Sequence, residues 1–241
     1  MRVVEIFLCR LADFNAPDAT TPAYYLNPQE IQRFERFKFD THRWAFLASR
    51  ILLKTALANR LNCPLSHLAF NLGPQGKPAL TPELNKLGIQ FNLTHSDTWA
   101  LVALDTHEVG IDTENMQRSA NLLNIAQHHF HPLEIDFLSK NSNEPHWGFY
   151  YWMLKEAYIK YLGAGLSQSL KEFYFLWQNP LLFGSETPLP VPAARVFSWA
   201  DEAVAALCYL PGEVELRVQQ LTPQGTWLPI DIHFLAQTQI N

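Results

Sequence analysis

Two short stretches of this 241-residue chain hold carboxylates and lysines at spacings that could do chemistry. Val109-Gly-Ile-Asp-Thr-Glu114 reads as a strand. Side chains alternate along a strand, so Asp112 and Glu114 face one way and Val109, Ile111 and Thr113 the other. Two carboxylates on one face repel unless a cation or a base lies between them. Either the strand end runs into solvent, or the pair offers hard oxygen ligands of the kind Mg²⁺ prefers. The second stretch, HWGFYYWMLKEAYIKYL at 146–162, reads as a helix that is apolar on nearly all sides, as buried helices are. It nevertheless carries Lys155, Glu156 and Lys160, and buried charges need partners. On an amphipathic helix, Glu156 and Lys160 would be an ordinary surface pair four residues apart. On a helix this apolar, all three are better explained by a third carboxylate joining Asp112 and Glu114 around a metal, with a lysine one turn away for a phosphate.

The elements that must position these groups follow from periodicity and turn signals. Residues 2–8 read as a strand. Asn27, Pro28 and Glu30 form the start of a short helix, the asparagine capping and the glutamate reaching back. Asp40 or Thr41 caps a longer helix running to about Arg60. The segment 71–82 is rich in Gly and Pro and reads as loop, and 91–93 as a short strand. WALVAL at 99–104 is apolar at every position, as in a strand buried on both faces, and pairs with 109–114 as a hairpin across a polar turn. Helices are expected at 119–128, 132–140 and 145–162, with Gly163 and Gly165 ending the last. Strands follow at 172–177, 194–199, 203–209, 214–220 and 229–235. The class expected is α+β (α/β in the loose sense): two similar lobes, 1–114 and 115–241, in a pseudo-twofold arrangement, each a small, mostly antiparallel sheet packed by helices.

Composition narrows the functions. With 48% hydrophobic and 17% charged residues the chain is globular, and no apolar run approaches the ~18 residues of a membrane helix. Glu5 and Arg10 interrupt the N-terminal apolar stretch, which therefore does not read as a signal peptide. Cys9, Cys63 and Cys208 are far apart and form no CxxC pair, which argues against a zinc ribbon or a disulfide framework and for a reducing cytoplasm. A net charge of −5 argues against a general nucleic-acid binder. Within 30–60, however, seven basic residues face three acidic ones: either a solvated helix face or a local site for phosphates. His128, His129 and His131 are read as a helix end, not a metal cluster, and Phe130 and Glu134 as structural.

Gly110-Ile111-Asp112-Thr113-Glu114 and Trp152-Met153-Leu154-Lys155-Glu156-Ala157-Tyr158-Ile159-Lys160 resemble the two signatures of the Sfp-type 4′-phosphopantetheinyl transferases, G-(I/V)-D-x-E and W-x-x-K-E-(A/S)-x-x-K. Ala157 points to the W/KEA branch. Gly76-Lys77-Pro78, Phe91-Asn92-Leu93-Thr94-His95-Ser96, the basic pattern from Arg36-Phe37 to Arg50, and Gly163-Ala-Gly-Leu166 are similar to further family features, and the resemblance covers roughly 30–175. It implies transfer of 4′-phosphopantetheine from coenzyme A to a serine of an acyl or peptidyl carrier protein, with release of 3′,5′-ADP. Asp112, Glu114 and Glu156 would hold Mg²⁺, or Mn²⁺ in its place, and Glu156 would also take the serine proton. Lys155 and Lys160 would lie near the pyrophosphate, Lys160 on the leaving phosphate. His95, Arg43, Arg33 and Arg36 would hold the 3′-phosphate, while Gly76, Lys77 and Pro78 line the adenine side and Thr94 offers the hydroxyl of the family's serine. The first lobe would carry the coenzyme A side and the second the carrier-facing side of a cytoplasmic monomer that binds neither nucleic acid nor membrane. Two rivals remain: a Mg²⁺-dependent pyrophosphate hydrolase, which would use the same carboxylates with water as nucleophile, and a non-catalytic binder of coenzyme A or carrier domains, which would not need the three carboxylates.

Overall fold

The computed structural model describes residues 1–14, 21–73, 77–116, 122–165, 168–200 and 203–239. The chain runs β1 (Arg2–Arg10), α1 (Thr21–Tyr25), α2 (Pro28–Arg36), α3 (Asp40–Leu61), β2 (Phe70–Leu72), β3 (Pro78–Leu80), β4 (Gln90–His95), β5 (Trp99–Asp105) and β6 (Val109–Thr113). It continues through α4 (Leu122–His129), α5 (Pro132–Lys140), α6 (His146–Leu162), β7 (Phe173–Leu176) and β8 (Leu182–Ser185). β9 (Ala193–Trp199), β10 (Ala203–Tyr209), β11 (Val214–Leu221), β12 (Trp227–Pro229) and β13 (His233–Gln237) complete it.

Strand alternation sorts the apolar side chains into layers. A five-stranded sheet has the order β12-β11-β1-β5-β4, and a four-stranded sheet the order β13-β9-β10-β6. Val4, Ile6 and Leu8 of β1 meet Phe197 and Trp199 of β9 and Leu207 of β10 in a dry layer between the two sheets. The opposite sides of the same strands face helices. Phe7, Cys9, Val102 and Leu104 pack under Leu47, Leu52 and Ala56 of α3. Val196, Ala206 and Cys208 pack under Met153, Leu154 and Tyr158 of α6. The architecture is therefore helix, sheet, sheet, helix. α3 and α6 are the covering helices, and removing a fully buried leucine such as Leu52 or Leu154 would cost about 2–5 kcal/mol.

The mixed α+β class stands, and the strand pairs are antiparallel except β1 with β11. The capping box of α2 is present, Glu30 N donating to Asn27 Oδ1 at 2.9 Å and Asn27 N to Glu30 Oε2 at 3.0 Å. α5 coincides with the expected 132–140, and β10 with 203–209. Other expectations are corrected. β5 and β6 do not form a hairpin: β5 pairs with β1 and β4, β6 pairs with β10, and the turn between them is a corner joining the two stacked sheets. Sheet membership therefore crosses residue 114 both ways, with β6 in the second sheet and β11 and β12 in the first. The segment 71–82 is not all loop, because β2 and β3 pair within it. The strand expected at 229–235 is two, β12 and β13, with Pro229 ending the first. α3 starts from Phe39, which supplies no side-chain cap. α4 begins at Leu122; 117–121, where that helix was expected to start, and Leu166 lie outside the described residues.

Candidate active site

Gly110 explains how the two signature stretches meet. A Cβ built there would lie 2.0 Å from Ala157 O and 2.3 Å from Tyr161 N, so the β6 backbone rests directly on the backbone of α6. Only glycine permits that approach. Asp112 and Glu114, on the same side as Gly110, are thereby delivered to α6. Asp112 Oδ1 accepts from Lys160 Nζ at 2.5 Å and from Thr94 Oγ1 at 2.9 Å. Lys160 Nζ also lies 3.3 Å from Thr94 Oγ1 and 3.4 Å from Ile111 O. Trp152 Nε1 donates to Glu114 Oε1 at 3.2 Å, so the tryptophan of the second stretch holds the last carboxylate of the first. Glu156 is half-buried, and its carboxyl is pushed above its ordinary value by burial first and by the Asp112 charge next, with Lys160 pulling the other way.

The geometry bears on a divalent metal. Asp112 is buried, and its Oδ2 accepts no hydrogen bond from any described residue. A bare buried carboxylate oxygen is costly, and a cation is its natural partner. Glu156, electrostatically coupled to Asp112, and Glu114 supply further hard oxygens on the same side of α6. Among the described residues no three acidic, histidine or cysteine side chains are gathered tightly enough to form a ready-made cage. The donor set fits Mg²⁺ or Mn²⁺ in chemistry, with Lys160 standing on Asp112 Oδ1.

Beside this group lies a cleft of about 300 Å³ lined by Lys77, Pro78, Leu93, Ile159, Lys160 and Arg50, among others. Lys77 Nζ reaches Glu108 Oε2 at 3.1 Å and Lys160 O at 3.4 Å, tying the β3 approach to α6. Gly163, in the left-handed region at φ 65°, caps α6 at the cleft wall. A second cleft of about 330 Å³, sharing Arg50 and Pro78 with the first, is lined by Arg33 and Phe46. His95 is exposed and lines a third, of about 500 Å³, with Thr41, His42 and Arg10. Arg43 is engaged locally, donating to Asp40 Oδ1 at 2.8 Å in the first turn of α3 and to Phe37 O at 2.9 Å just before it. Arg36 is exposed on α2, and Gly76 lies outside the described residues.

Thr94, Asp112, Lys160, Glu156, Glu114, Lys77 and Pro78 are thus brought to one region. Lys155 is not. Its ammonium is fully buried on another face of α6, 2.7 Å from Glu134 Oε2, 2.7 Å from Leu170 O and 2.8 Å from Phe173 O. Three acceptors satisfy its three donors, so the expectation that it contacts a phosphate is corrected. The basic segment 30–60 is also less available than its composition suggested. Glu30 holds both Arg50 and Lys54, and Glu5 holds Arg60. His131 caps α5 through Leu133 N and meets Glu186, a helix-end role as read from the sequence. Two contributors were missed. Asn92 Oδ1 accepts from Ile111 N at 3.0 Å, fixing the strand that carries Asp112, and Arg50 joins the first two clefts. An asparagine between two strand apolars, in Phe91-Asn92-Leu93, was the available sign of the first.

Residues 108–208 match the family model of the 4′-phosphopantetheinyl transferase superfamily, and 17–107 that of the 4′-phosphopantetheinyl transferase N-terminal region. The chain is 34% identical over 146 residues to 4′-phosphopantetheinyl transferase HetI of Nostoc, covering 59% of this chain and 62% of that protein. It is 32% identical over 153 residues to 4′-phosphopantetheinyl transferase Sfp of Bacillus subtilis, covering 62% and 65%. It is 30% identical over 163 residues to the mouse L-aminoadipate-semialdehyde dehydrogenase-phosphopantetheinyl transferase, covering 62% and 52%. The chain spans 62%, 65% and 52% of the length of these three relatives.

Proposed function

Because the chain belongs to the 4′-phosphopantetheinyl transferase superfamily, we propose that it is an enzyme that moves the phosphopantetheine arm of coenzyme A onto a serine of an acyl or peptidyl carrier domain. The observation that carries this reading is the buried Asp112, one oxygen on Lys160 and the other bare, at the edge of a cleft lined by Lys77 and Lys160. The serine hydroxyl attacks the β-phosphorus, a new P–O–Ser bond forms, the pyrophosphate P–O bond breaks, and 3′,5′-ADP leaves. Such a transfer needs positioning and charge neutralisation more than covalent help. Asp112, Glu114 and Glu156 would hold Mg²⁺, or Mn²⁺, which when bound neutralises charge on the phosphate oxygens. Lys160 is placed to take the leaving phosphate once it exchanges Asp112 for that anion, and Lys77 to meet phosphate in the cleft. Glu156, with its raised affinity for a proton, suits the acceptor of the serine proton. Arg33, Arg36, Arg43 and His95 remain the proposed 3′-phosphate donors. For Arg43 this means trading Asp40 for the ligand.

We assign it to the W/KEA branch, on Trp152 and Ala157. No helix of the described residues is long and apolar enough to cross a membrane. Buried free thiols at Cys9 and Cys208 suit work in a reducing cytoplasm. The test is incubation with coenzyme A, Mg²⁺ and a panel of carrier domains, read by carrier mass. A phosphopantetheine-sized gain on the carrier serine is expected. Release of 3′,5′-ADP without carrier would make the protein a hydrolase, and neither product would make it a binder. Glu156→Gln should still bind coenzyme A at high Mg²⁺ yet turn over about 10²–10⁴ slower. Recovery at saturating metal would make Glu156 a ligand and not the base.

A further inference from the structure

Lys155 and Glu134 are each 0% exposed and 2.7 Å apart, and no reaction step above uses them. Stability alone does not explain them, because replacing a buried ion pair by apolar groups of similar volume is often neutral or stabilising. What the pair touches is informative. Glu134 Oε1 accepts from Phe175 N at 3.0 Å and Oε2 from His131 N at 3.1 Å, which binds the start of α5 to β7. Lys155 holds Leu170 O and Phe173 O, in the segment that follows the cleft wall. Its ammonium also lies 5.2 Å from the centroid of Phe130, and Phe130 stacks on Trp152 at 6.3 Å and 17°. Trp152 in turn holds Glu114.

We propose, building on the transferase reading, that the Glu134–Lys155 pair is a positioning device for the metal-binding carboxylates. It pins the inward face of α6. Successive helical residues are about 100° apart, so drawing Lys155 into the core turns Glu156 toward β6. Through Phe130 and Trp152 the same anchor sets the reach of the indole N–H to Glu114. Both residues act through others and contact no substrate.

The test is the double variant Glu134→Gln/Lys155→Met, which leaves no unpaired buried charge, beside Glu134→Gln alone, which keeps an acceptor for Phe175 N. Three readouts are needed: a melting curve, kcat and KM for coenzyme A, and Mg²⁺ affinity by calorimetry with coenzyme A present and carrier absent. Removal of a supporting contact from a metal site costs about 10–100-fold in affinity or activity. The expectation is a cooperative melt, kcat and Mg²⁺ affinity each down by about that factor, and KM for coenzyme A changed less than about threefold. A folded variant with unchanged kcat and Mg²⁺ affinity would overturn the proposal, and so would failure of both variants to fold, which would leave the pair a fold determinant only. If the unaltered protein transfers nothing, the functional reading falls, while the calorimetric comparison still decides the positioning role.

Discussion

Gly110→Ala is the most informative single methyl group that could be added to this protein. The new Cβ would meet Ala157 O at 2.0 Å, Tyr161 N at 2.3 Å and Lys160 C at 2.9 Å, all backbone atoms that no rotamer change can move. Ordinary contact begins at 3.4 Å, so relief needs β6 and α6 to part by about 1.4 Å (3.4 − 2.0). Forced overpacking costs about 1–3 kcal/mol, and a backbone clash belongs at the upper end. At about 2–4 °C per kcal/mol for a chain of this size, about 3 kcal/mol should lower the melting midpoint by about 6–12 °C. The same parting would stretch the 2.5 Å contact between Lys160 and Asp112 and shift Glu156 away from Asp112. Misplacement of about 1 Å can cost about 10²-fold in rate. Calorimetric melting, with carrier mass gain measured well below the new midpoint, reads both effects. Gly148→Ala, in the same helix, is the control. It meets only the Leu122 side chain, Cβ at 3.1 Å and Cδ1 at 3.7 Å, and the about 1 kcal/mol that alanine gains in helix propensity offsets that tight contact, so its midpoint and rate should stay close to the parent's. Unchanged midpoint and rate in Gly110→Ala would refute the account of how the two stretches are joined.

Asp112→Ala takes away the acceptor of Lys160 Nζ and Thr94 Oγ1, so it should melt cooperatively but somewhat below the parent, while transfer falls at least about 10²-fold and calorimetric Mg²⁺ binding weakens in parallel; parental turnover would remove Asp112 from the chemistry. Lys77→Ala should weaken coenzyme A about tenfold to a hundredfold, the scale of a lost charge-assisted hydrogen bond, and equal affinity by calorimetry would take Lys77 out of the ligand cleft. Burial pushes the Cys9 thiol up to about 12 and raises Cys208 as well, so at pH 8 the folded protein should consume one equivalent of thiol reagent, at the half-exposed Cys63, and three once unfolded. These raised thiols hold their protons more tightly folded than unfolded. Their contribution to stability is complete below the ordinary value of 9.0 and is lost as pH rises toward 12, so the melting midpoint should decline across that window; a flat midpoint there would contradict the burial of Cys9.

Local pattern carried much of this architecture. Alternation in β6 put Asp112 and Glu114 on one side, and both do meet α6. Asn27, Pro28 and Glu30 announced α2 through chemistry that needs no tertiary partner. The errors lie where a non-local partner decides. WALVAL is apolar throughout because its two faces serve two different layers, and a short polar turn suits a sheet-to-sheet corner as well as a hairpin. Lys155 was misassigned although helix geometry held a warning. At about 100° per residue, Glu156 lies some 40° from Lys160 around the axis, whereas Lys155 lies some 140° away. Its partner Glu134, read as structural from the sequence, sits on a different helix, and spacing alone could not pair them.

The parallel ladder between β1 and β11 has a consequence for biosynthesis. Arg2 registers with Val214, so one long side of β1 stays unsatisfied until the far end of the chain arrives. At about 5–20 residues per second of translation, the roughly 200 intervening residues take about 10–40 s. During that interval β1 can pair with β5 but presents the unpaired N–H and C=O groups of its other edge to any strand nearby, and its Val4, Ile6 and Leu8 face is covered only when β9 and β10 have followed. Closure of the larger sheet is thus a late event with a large sequence separation, the kind of contact that slows folding. Fragments that stop before Val214 should be aggregation-prone even though they contain both signature stretches, and any fusion or truncation intended to preserve activity must keep 214–221 free to reach the first strand.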